Sequence, residues 1–226
     1  MKKAVVLYSG GLDTTTCMAI AKSQGFECYA LTFDYGQKNR SEILAAQRGA
    51  VYFGAKEHQV LTIELGKLGG SALTDKDIPV PDYVGDNKIP TTYVPARNTI
   101  FLSFALAYAE VIGANDIFAG FCATDHAQYP DCRVEYMAAY QNMARLATKA
   151  GVNGEILTLH TPMLHLTKAE TIQIGVSLGV DYSQTVTCYQ ATETGEACGR
   201  CDCCVLRRRG FVEAGVEDVT RYVALA

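Results

Sequence analysis

Near the N-terminus the chain reads Ala4-Val5-Val6-Leu7-Tyr8-Ser9-Gly10-Gly11-Leu12-Asp13-Thr14-Thr15-Thr16, and its architecture follows from this segment. The apolar, β-branched run at residues 4–7 is typical of a strand buried on both faces. Residues 15–24 carry apolar side chains at helical spacing and stop at Gly25, which predicts a helix. Residues 9–14 are therefore expected to form a strand-to-helix turn.

This turn has the composition of an anion site. The glycine pair allows a positive φ and a close approach of the backbone to a ligand. Hydroxyls and free N–H groups at the start of a helix bind anions. Asp13 would repel a bare phosphate, so we interpret it as a ligand for Mg²⁺ beside the phosphates. The alternative is an ordinary glycine-rich turn without a ligand.

The segment Ser9-Gly10-Gly11-Leu12-Asp13-Thr14 resembles the PP-loop of the ATP pyrophosphatases, S-G-G-x-D-S/T, with Thr14 in place of the commoner serine. The resemblance implies that the chain binds the pyrophosphate of ATP and cleaves between the α and β phosphates. The residues expected to contact ATP are Tyr8, Ser9, Gly10, Gly11, Leu12, Asp13, Thr14, Thr15, Thr16, Cys17 and Met18.

The segments after the loop predict a doubly wound α/β fold. Strands are expected at residues 28–35, 59–65, 116–121 and 156–159, and helices at 42–53, 98–112, 134–150 and 167–178. The last helix has a capping box, with Thr167 as N-cap and Glu170 three residues later. Alternation of strands and helices predicts a mostly parallel sheet, with ligands at the carboxyl ends of its strands. Residues 66–95, rich in Gly and Pro, are expected to form a long loop, either a functional lid or a mobile surface excursion.

Composition limits the classes of function. The 226 residues carry a net charge of −4, which gives no global attraction for nucleic acid or anionic membrane. The longest uncharged apolar stretch, residues 99–109, is too short to span a bilayer, and the N-terminus does not read as a signal peptide. We therefore expect a cytoplasmic enzyme. Residues 1–226 are expected to form one domain, with residues 187–210 as an embedded metal-binding subsite.

The C-terminal part contains the cysteine pattern Cys188-x9-Cys198-x2-Cys201-x2-Cys204. Thiolates at this spacing converge on one tetrahedral metal, usually zinc, and four of them leave no open position for water. The site is therefore expected to be a structural Zn²⁺ site, with Cys203 outside the ligand set. A [4Fe–4S] cluster is the alternative, because its cysteine spacing is similar. The run at residues 207–209, three arginines, is expected to be a solvated face.

Five further stretches resemble the 7-cyano-7-deazaguanine synthase (QueC) family: Phe33-Asp34-Tyr35-Gly36-Gln37, Val94-Pro95-Ala96-Arg97-Asn98, Tyr129-Pro130-Asp131-Cys132-Arg133, Leu166-Thr167-Lys168-Ala169-Glu170 and Cys198-Gly199-Arg200-Cys201 with Cys204 and Arg207. The order matches the family along nearly the whole chain. Asn39, where the family often has His, and Ala96, where it often has Gly, depart from the pattern.

This resemblance implies an adenine nucleotide alpha hydrolase-like fold and a carbon–nitrogen ligase of queuosine biosynthesis. Such an enzyme converts 7-carboxy-7-deazaguanine and ammonia into 7-cyano-7-deazaguanine (preQ0) through adenylated intermediates and an amide, and releases AMP and pyrophosphate. Adenylation is needed because a carboxylate is a poor electrophile, whereas AMP is a good leaving group.

Several residues are candidates for this chemistry. Asp13 is expected to hold Mg²⁺ and Lys168 to reach a phosphate, although a solvated lysine is the alternative. Arg97 or Arg133 is expected to bind the substrate carboxylate through a bidentate fork, unless either forms a structural ion pair. Three further candidates are Tyr129 or Phe33 for stacking on the base and His126 for proton transfer. His58, His160 and His165 are expected to serve structure.

Two other functions remain open at this point. One is another PP-loop enzyme, such as a tRNA thiolase, tRNA lysidine synthase or NAD synthetase, although a tRNA enzyme should carry a basic surface. The other is a zinc-ribbon binding module on an inactive nucleotide fold, which the intact Asp13 disfavours. No glutaminase motif is recognisable, so free ammonia is the expected nitrogen source. The expected assembly is a homodimer.

Overall fold

The structure, a computed structural model, describes residues 1–85, 88–123 and 129–224. Its five strands are β1 (Lys3–Leu7), β2 (Glu27–Asp34), β3 (Glu57–Thr62), β4 (Asp116–Phe118) and β5 (Thr158–His160). Its α-helices are α1 (Leu12–Ser23), α2 (Ser41–Tyr52), α3 (Arg97–Ile112), α4 (Val134–Ala147), α5 (Lys149–Val152), α6 (Lys168–Ser177) and α7 (Asp202–Ala214). Every strand and longer helix predicted from the sequence is present, and no end is shifted by more than three residues.

The five strands form one parallel sheet in the order β3-β2-β1-β4-β5. The chain first builds the sheet from β1 towards β3 and then returns to the other side of β1. The carboxyl ends of β1 and β4 therefore border the point where the winding reverses, which is where open α/β sheets bind ligands. The prediction of a doubly wound α/β fold is confirmed.

Both faces of the sheet are covered, because alternate residues of β1 belong to different core clusters. Val5 and Leu7 lie in the same cluster as Leu102 of α3. Ala4 and Val6 lie in the opposite cluster, with Met18 of α1. Burial of a side chain such as Leu102 or Met18 contributes about 1.5–3 kcal/mol. The two layers fix the end of β1, and with it the loop that follows.

Two helix boundaries in the structure differ from those predicted from the sequence. Helix α1 begins at Leu12 and not at Thr15, so Asp13 and Thr14 belong to its first turn. The helix predicted at residues 134–150 is interrupted at Thr148, whose backbone is extended and whose hydroxyl accepts the Gly151 N–H at 3.1 Å. The tight reversal excludes a side chain at position 151, because a Cβ there would lie 1.9 Å from the Arg145 carbonyl oxygen.

The long loop predicted at residues 66–95 overlaps a 3₁₀ turn (Leu65–Leu68), and beyond it the described part of this range contains turns and irregular backbone. It is not a detached excursion, since Leu73, Val80 and Val94 are buried in the main core. Within the described ranges every helix is too short or too polar to span a bilayer.

Candidate active site and cysteine centre

The loop after β1 is shaped by Gly10. Its φ is +78°, and a Cβ at this position would lie 2.4 Å from the backbone nitrogen of Ala46 in α2. The Gly10 carbonyl oxygen accepts the N–H of Val186 at 3.1 Å. Position 10 therefore requires glycine both for its backbone conformation and for its contact with α2.

Polar groups gather where the loop enters α1. The hydroxyls of Ser9 and Thr14 lie 3.1 Å apart, and the Gly11 N–H donates to Ser9 Oγ at 3.3 Å. The Leu12 N–H donates to Thr187 Oγ1 at 2.9 Å. These hydroxyls and helix N-terminal N–H groups form an arrangement that suits the phosphates of a nucleotide.

Asp13 and Lys168 meet beside this loop. Lys168 Nζ lies 2.6 Å from Asp13 Oδ1 and 2.8 Å from Asp13 Oδ2, and both side chains are largely buried. Lys168 is the first residue of α6, which begins with the predicted capping box of Thr167 and Glu170. Helix α7 comes close enough that a Cβ at Gly210 would lie 2.5 Å from Lys168 Cγ. The fold thus places a cation and a carboxylate, 155 residues apart in sequence, at one point of the loop.

Part of the predicted ATP-contacting set does not face a ligand. Cys17 and Met18 are fully buried in the core behind the sheet. Thr16 is also fully buried, and its hydroxyl contacts Tyr182 Oη at 2.7 Å. Thr15 is buried against the hydroxyl of Tyr8. By its second turn α1 has thus directed the side chains of residues 15–18 towards the protein, and contact of this segment with ATP stays a prediction.

A cavity of about 250 Å³ opens beside the phosphate loop. The carboxyl ends of β1, β2 and β4 supply its floor. Phe33 and Phe101 stack with ring centroids 4.0 Å apart and, together with Tyr35, form an aromatic part of the wall. Tyr129 lines the same cavity, and its hydroxyl lies 3.2 Å from that of Tyr189. The two residues predicted to stack on a base, Phe33 and Tyr129, are thus both on the cavity.

Arg97 lines this cavity at the start of α3. The preceding residue, Ala96, has a left-handed φ of +54°, which explains why the resembling family often has Gly there. The guanidinium donates to Asn98 Oδ1 and lies 5.8 Å from the ring centroids of Tyr35 and Phe101. Burial alone would lower the pKa of Arg97, but the facing Tyr35, Tyr189 and Asp131 raise that pKa above its usual value.

Arg133 is not brought to the cavity. Its side chain is exposed, and its Nε donates to the Pro130 carbonyl oxygen at 3.2 Å. Of the two predicted carboxylate-binding arginines, only Arg97 lines the cavity. His126 lies outside the described residues. His58 and His160 bond Thr32 and Asp116 respectively, in agreement with their predicted structural roles.

Glu42 of α2 also lines the cavity, although no motif in the sequence marks it as a site residue. Its carboxylate accepts a hydrogen bond from Gln37 Nε2 at 2.9 Å. Burial raises the pKa of Glu42 to about 7, against smaller lowering effects of Gln37 and Arg97. A helix-face glutamate gives no signal in the sequence that it will be enclosed in this way.

This pKa predicts a pH-dependent stability. A folded-state pKa above the unfolded value gives stability that is full below about pH 4.5 and is lost as the pH rises through about 7. Glu42→Gln should therefore melt a few degrees above the parent protein at pH 8, and the difference should vanish near pH 4.5. Thermal melts across this range test it, with the exposed Glu213→Gln as control. An equal difference at every pH would contradict the assignment.

The four cysteines predicted as metal ligands converge. Their sulfurs all lie within 4.8 Å of one another, and the side chains of Cys188, Cys198, Cys201 and Cys204 are all buried. Sulfurs about 2.3 Å from one tetrahedral ion stand about 3.8 Å apart, and three of the pairs here measure 3.5, 3.9 and 4.0 Å. The ligands of a [4Fe–4S] cluster each bind a different iron and stand farther apart, so the geometry suits a single ion.

The cysteine centre is tied to the phosphate loop through Arg207. This side chain is 1% exposed, so the prediction that residues 207–209 form a solvated face is wrong for Arg207. Its guanidinium donates to Thr185 Oγ1, Thr187 Oγ1 and the Tyr182 carbonyl oxygen at 2.8, 3.2 and 3.1 Å. Thr187, next to Cys188, also accepts the Leu12 N–H of α1. The sequence alone does not predict this network, because Arg207 is distant in sequence from the threonines that it contacts.

Replacing Arg207 should be costly. Arg207→Met removes every donor of this fork and leaves Asp218 and the threonine hydroxyls without their cation. Breaking a buried charge network costs about 3–5 kcal/mol. Urea unfolding followed by circular dichroism should show a loss of this size, whereas the exposed Arg209→Met should change stability by less than about 0.5 kcal/mol. Equal effects of the two substitutions would contradict the importance of the buried fork.

Comparison with known proteins identifies the family of the chain. A family model described as "Queuosine biosynthesis protein QueC" matches residues 3–215. The chain belongs to the QueC family. A 7-cyano-7-deazaguanine synthase of Coxiella burnetii (strain RSA 331 / Henzerling II) is 60% identical over 223 residues, which cover 99% of both chains. A protein of the same name from Legionella pneumophila subsp. pneumophila (strain Philadelphia 1) is 58% identical, over 98% of this chain and 97% of its own.

The QueC resemblance read from the sequence is thus confirmed at full length. Among solved structures, the NMN synthetase of Francisella tularensis has a similar fold, with a TM-score of 0.50 and 16% identity over 96% of this chain and 78% of its own. That identity is low, so it supports the fold alone.

Proposed function

We propose that this chain is a carbon–nitrogen ligase that converts 7-carboxy-7-deazaguanine and ammonia into 7-cyano-7-deazaguanine at the expense of ATP. The observation that carries the proposal is the position of Arg97 in the same cavity as the phosphate loop. A substrate carboxylate paired with this guanidinium lies in the same cavity as a nucleotide held by residues 9–14. Adenylation requires the carboxylate and the nucleotide to lie close together, because positioning of two reactants supplies much of the rate enhancement.

Nucleotide binding uses the loop and the start of α1. The backbone N–H of Gly11 and the hydroxyls of Ser9 and Thr14 bind the phosphates. Asp13 would hold Mg²⁺, and the bound ion would supply positive charge against the charge that develops on the departing pyrophosphate. Lys168 pairs with Asp13 in the structure, and in the loaded enzyme its ammonium turns to a phosphate oxygen. In this arrangement the carboxylate of Asp13 pairs with the metal cation, and the ammonium of Lys168 pairs with a phosphate anion.

The reaction proceeds in two rounds. In the first, a carboxylate oxygen of the substrate attacks the α phosphorus, pyrophosphate leaves, and ammonia then displaces AMP with loss of a proton to give the amide. In the second, the amide oxygen is adenylated with release of another pyrophosphate. Loss of AMP and of both protons of the amide nitrogen then leaves the nitrile. Arg97 orients the same carbon in both rounds, so one site suffices.

The cysteine centre has a structural role in this proposal. Zinc is the proposed ion, because four thiolates satisfy its tetrahedral preference and leave no position for substrate. Bound to the four cysteines, the ion would tie the start of α7 to the segment at residues 185–188, which contacts the phosphate loop. We further propose one PP-loop domain over residues 1–226, with residues 187–210 as its metal-binding subsite, a homodimeric assembly and a cytoplasmic location.

The nitrogen source offers a direct test of the proposed reaction. The purified protein is supplied with ATP, the carboxy-deazaguanine and either ¹⁵N-ammonium or amide-¹⁵N-glutamine. We expect label in the nitrile from ammonium alone, and a rate that rises as the pH approaches the pKa of ammonium. Efficient transfer from glutamine would contradict the proposed use of free ammonia.

A further inference from the structure

The cavity contains a buried carboxylate that the proposed chemistry does not use. Asp131 lies in the 3₁₀ turn Pro130–Cys132, is 6% exposed and lines the cavity wall. Its Oδ2 accepts the backbone N–H of Asn98 at 3.0 Å, near the start of α3. Its Oδ1 is buried and has no hydrogen-bond partner in the described part of the chain. An unsatisfied buried acceptor is costly and calls for an explanation.

The surroundings of Asp131 restrict what that explanation can be. Arg97 is the charged neighbour on α3, and its fork donates to Asn98 Oδ1 at 3.2 and 3.3 Å. Asn98 in turn donates its side-chain amide to Cys132 Sγ at 3.1 Å. None of these contacts reaches Asp131 Oδ1, which stays without a hydrogen-bond partner among the described residues although Asp131 itself lines the cavity. An ionised carboxylate accepts hydrogen bonds and donates none, so its complement is a ligand N–H group.

We propose that Asp131 Oδ1 accepts a hydrogen bond from the exocyclic 2-amino group of the deazaguanine, and so makes the site specific for a guanine-type base. This inference rests on the proposed function, which supplies the class of substrate. The guanine edge carries the 2-amino group and the ring N1–H side by side. The amino group extends farthest from the ring and can reach an oxygen set in the wall. Arg97 and Asp131 then have different tasks: the cation orients the reacting carboxylate, and the anion selects the base.

A cycle of two enzymes and two substrates tests the assignment. The substrates are 7-carboxy-7-deazaguanine and 7-carboxy-7-deazahypoxanthine, which lacks the 2-amino group. The parent protein and Asp131→Asn are compared by kcat/KM from pyrophosphate release. The parent should prefer the guanine-type substrate by roughly ten- to a hundredfold, as expected for one hydrogen bond to a charged group. Asp131→Asn should lose most of this preference and keep its KM for ATP.

The controls separate specificity from folding and from the proposed function. Asp82→Asn removes an exposed carboxylate and should change nothing. Asp131→Ser keeps an acceptor for the Asn98 N–H if the Asn variant fails to fold. Equal use of both substrates by the parent protein, or a preference that survives in a folded Asp131 variant, would overturn this inference. If the parent protein released no pyrophosphate with either substrate, the proposed function would be overturned instead.

Discussion

Asp13→Asn is expected to fall in turnover by a factor on the order of 10² to 10³ or more while it keeps its fold. The carboxylate is proposed to hold the ion that neutralises pyrophosphate, and loss of one group that stabilises developing charge typically costs this much. The fold should tolerate the change, because the side chain lies at the edge of the loop and Asn still offers Lys168 an acceptor. The loss of an acidic residue from the first turn of α1 costs about 0.3–1 kcal/mol. The largely buried ion pair with Lys168 is also lost, which adds at most about 3–5 kcal/mol.

Steady-state pyrophosphate release measures the loss of turnover, and thermal melting measures whether the fold is kept. Asp77→Asn, an exposed carboxylate on the 66–95 loop, serves as the matched control and should behave like the parent protein. More than a few per cent of parental turnover in a normally melting Asp13→Asn variant would rule out Asp13 as the metal-holding group.

Loss of the cysteine-bound ion should have the largest effect on stability. Cys201→Ala removes one of four converging thiolates, and structural zinc in such sites contributes about 10–16 kcal/mol to folding of the local unit. We expect the segment at residues 185–214 to lose its structure and the metal to be absent by elemental analysis. Activity should be lost as well, because Val186 and Thr187 hold Gly10 and Leu12 of the phosphate loop.

Cys203→Ser provides the matched control for the metal. Cys203 lies between ligands in sequence but outside the converging set, on the cavity side. Its replacement should leave one bound ion per chain and an unchanged melting temperature. Iron in place of zinc would contradict the proposed ion, and metal loss in Cys203→Ser would contradict the ligand set.

The sequence was informative wherever a local pattern determines the structure. The apolar run at residues 4–7 and the glycine pair predict the strand and loop, because their preferences act over a few residues. The capping box of Thr167 and Glu170 predicts the start of α6 for the same reason. The cysteine spacing predicted all four converging side chains.

Features that depend on distant contacts were not predictable from local patterns. The pair of Asp13 and Lys168 joins residues on different helices, and the burial of Arg207 depends on Thr185, Thr187 and Asp218. An arginine in a basic run normally faces solvent, so only the packed fold distinguishes Arg207 from its neighbours. The enclosure of Glu42 and Asp131 in the cavity likewise follows from tertiary packing.

Conversion of the acid through the amide to the nitrile at one site, with one phosphate loop, is the core of the proposed function. It is tested most directly by giving the purified protein ATP and ammonium with the acid, with the chemically prepared amide, or with no deazaguanine, and measuring pyrophosphate and nitrile together. We expect two pyrophosphates per nitrile from the acid, one per nitrile from the amide, and background release without either. No nitrile from the amide, or pyrophosphate release that does not depend on the deazaguanine, would contradict it.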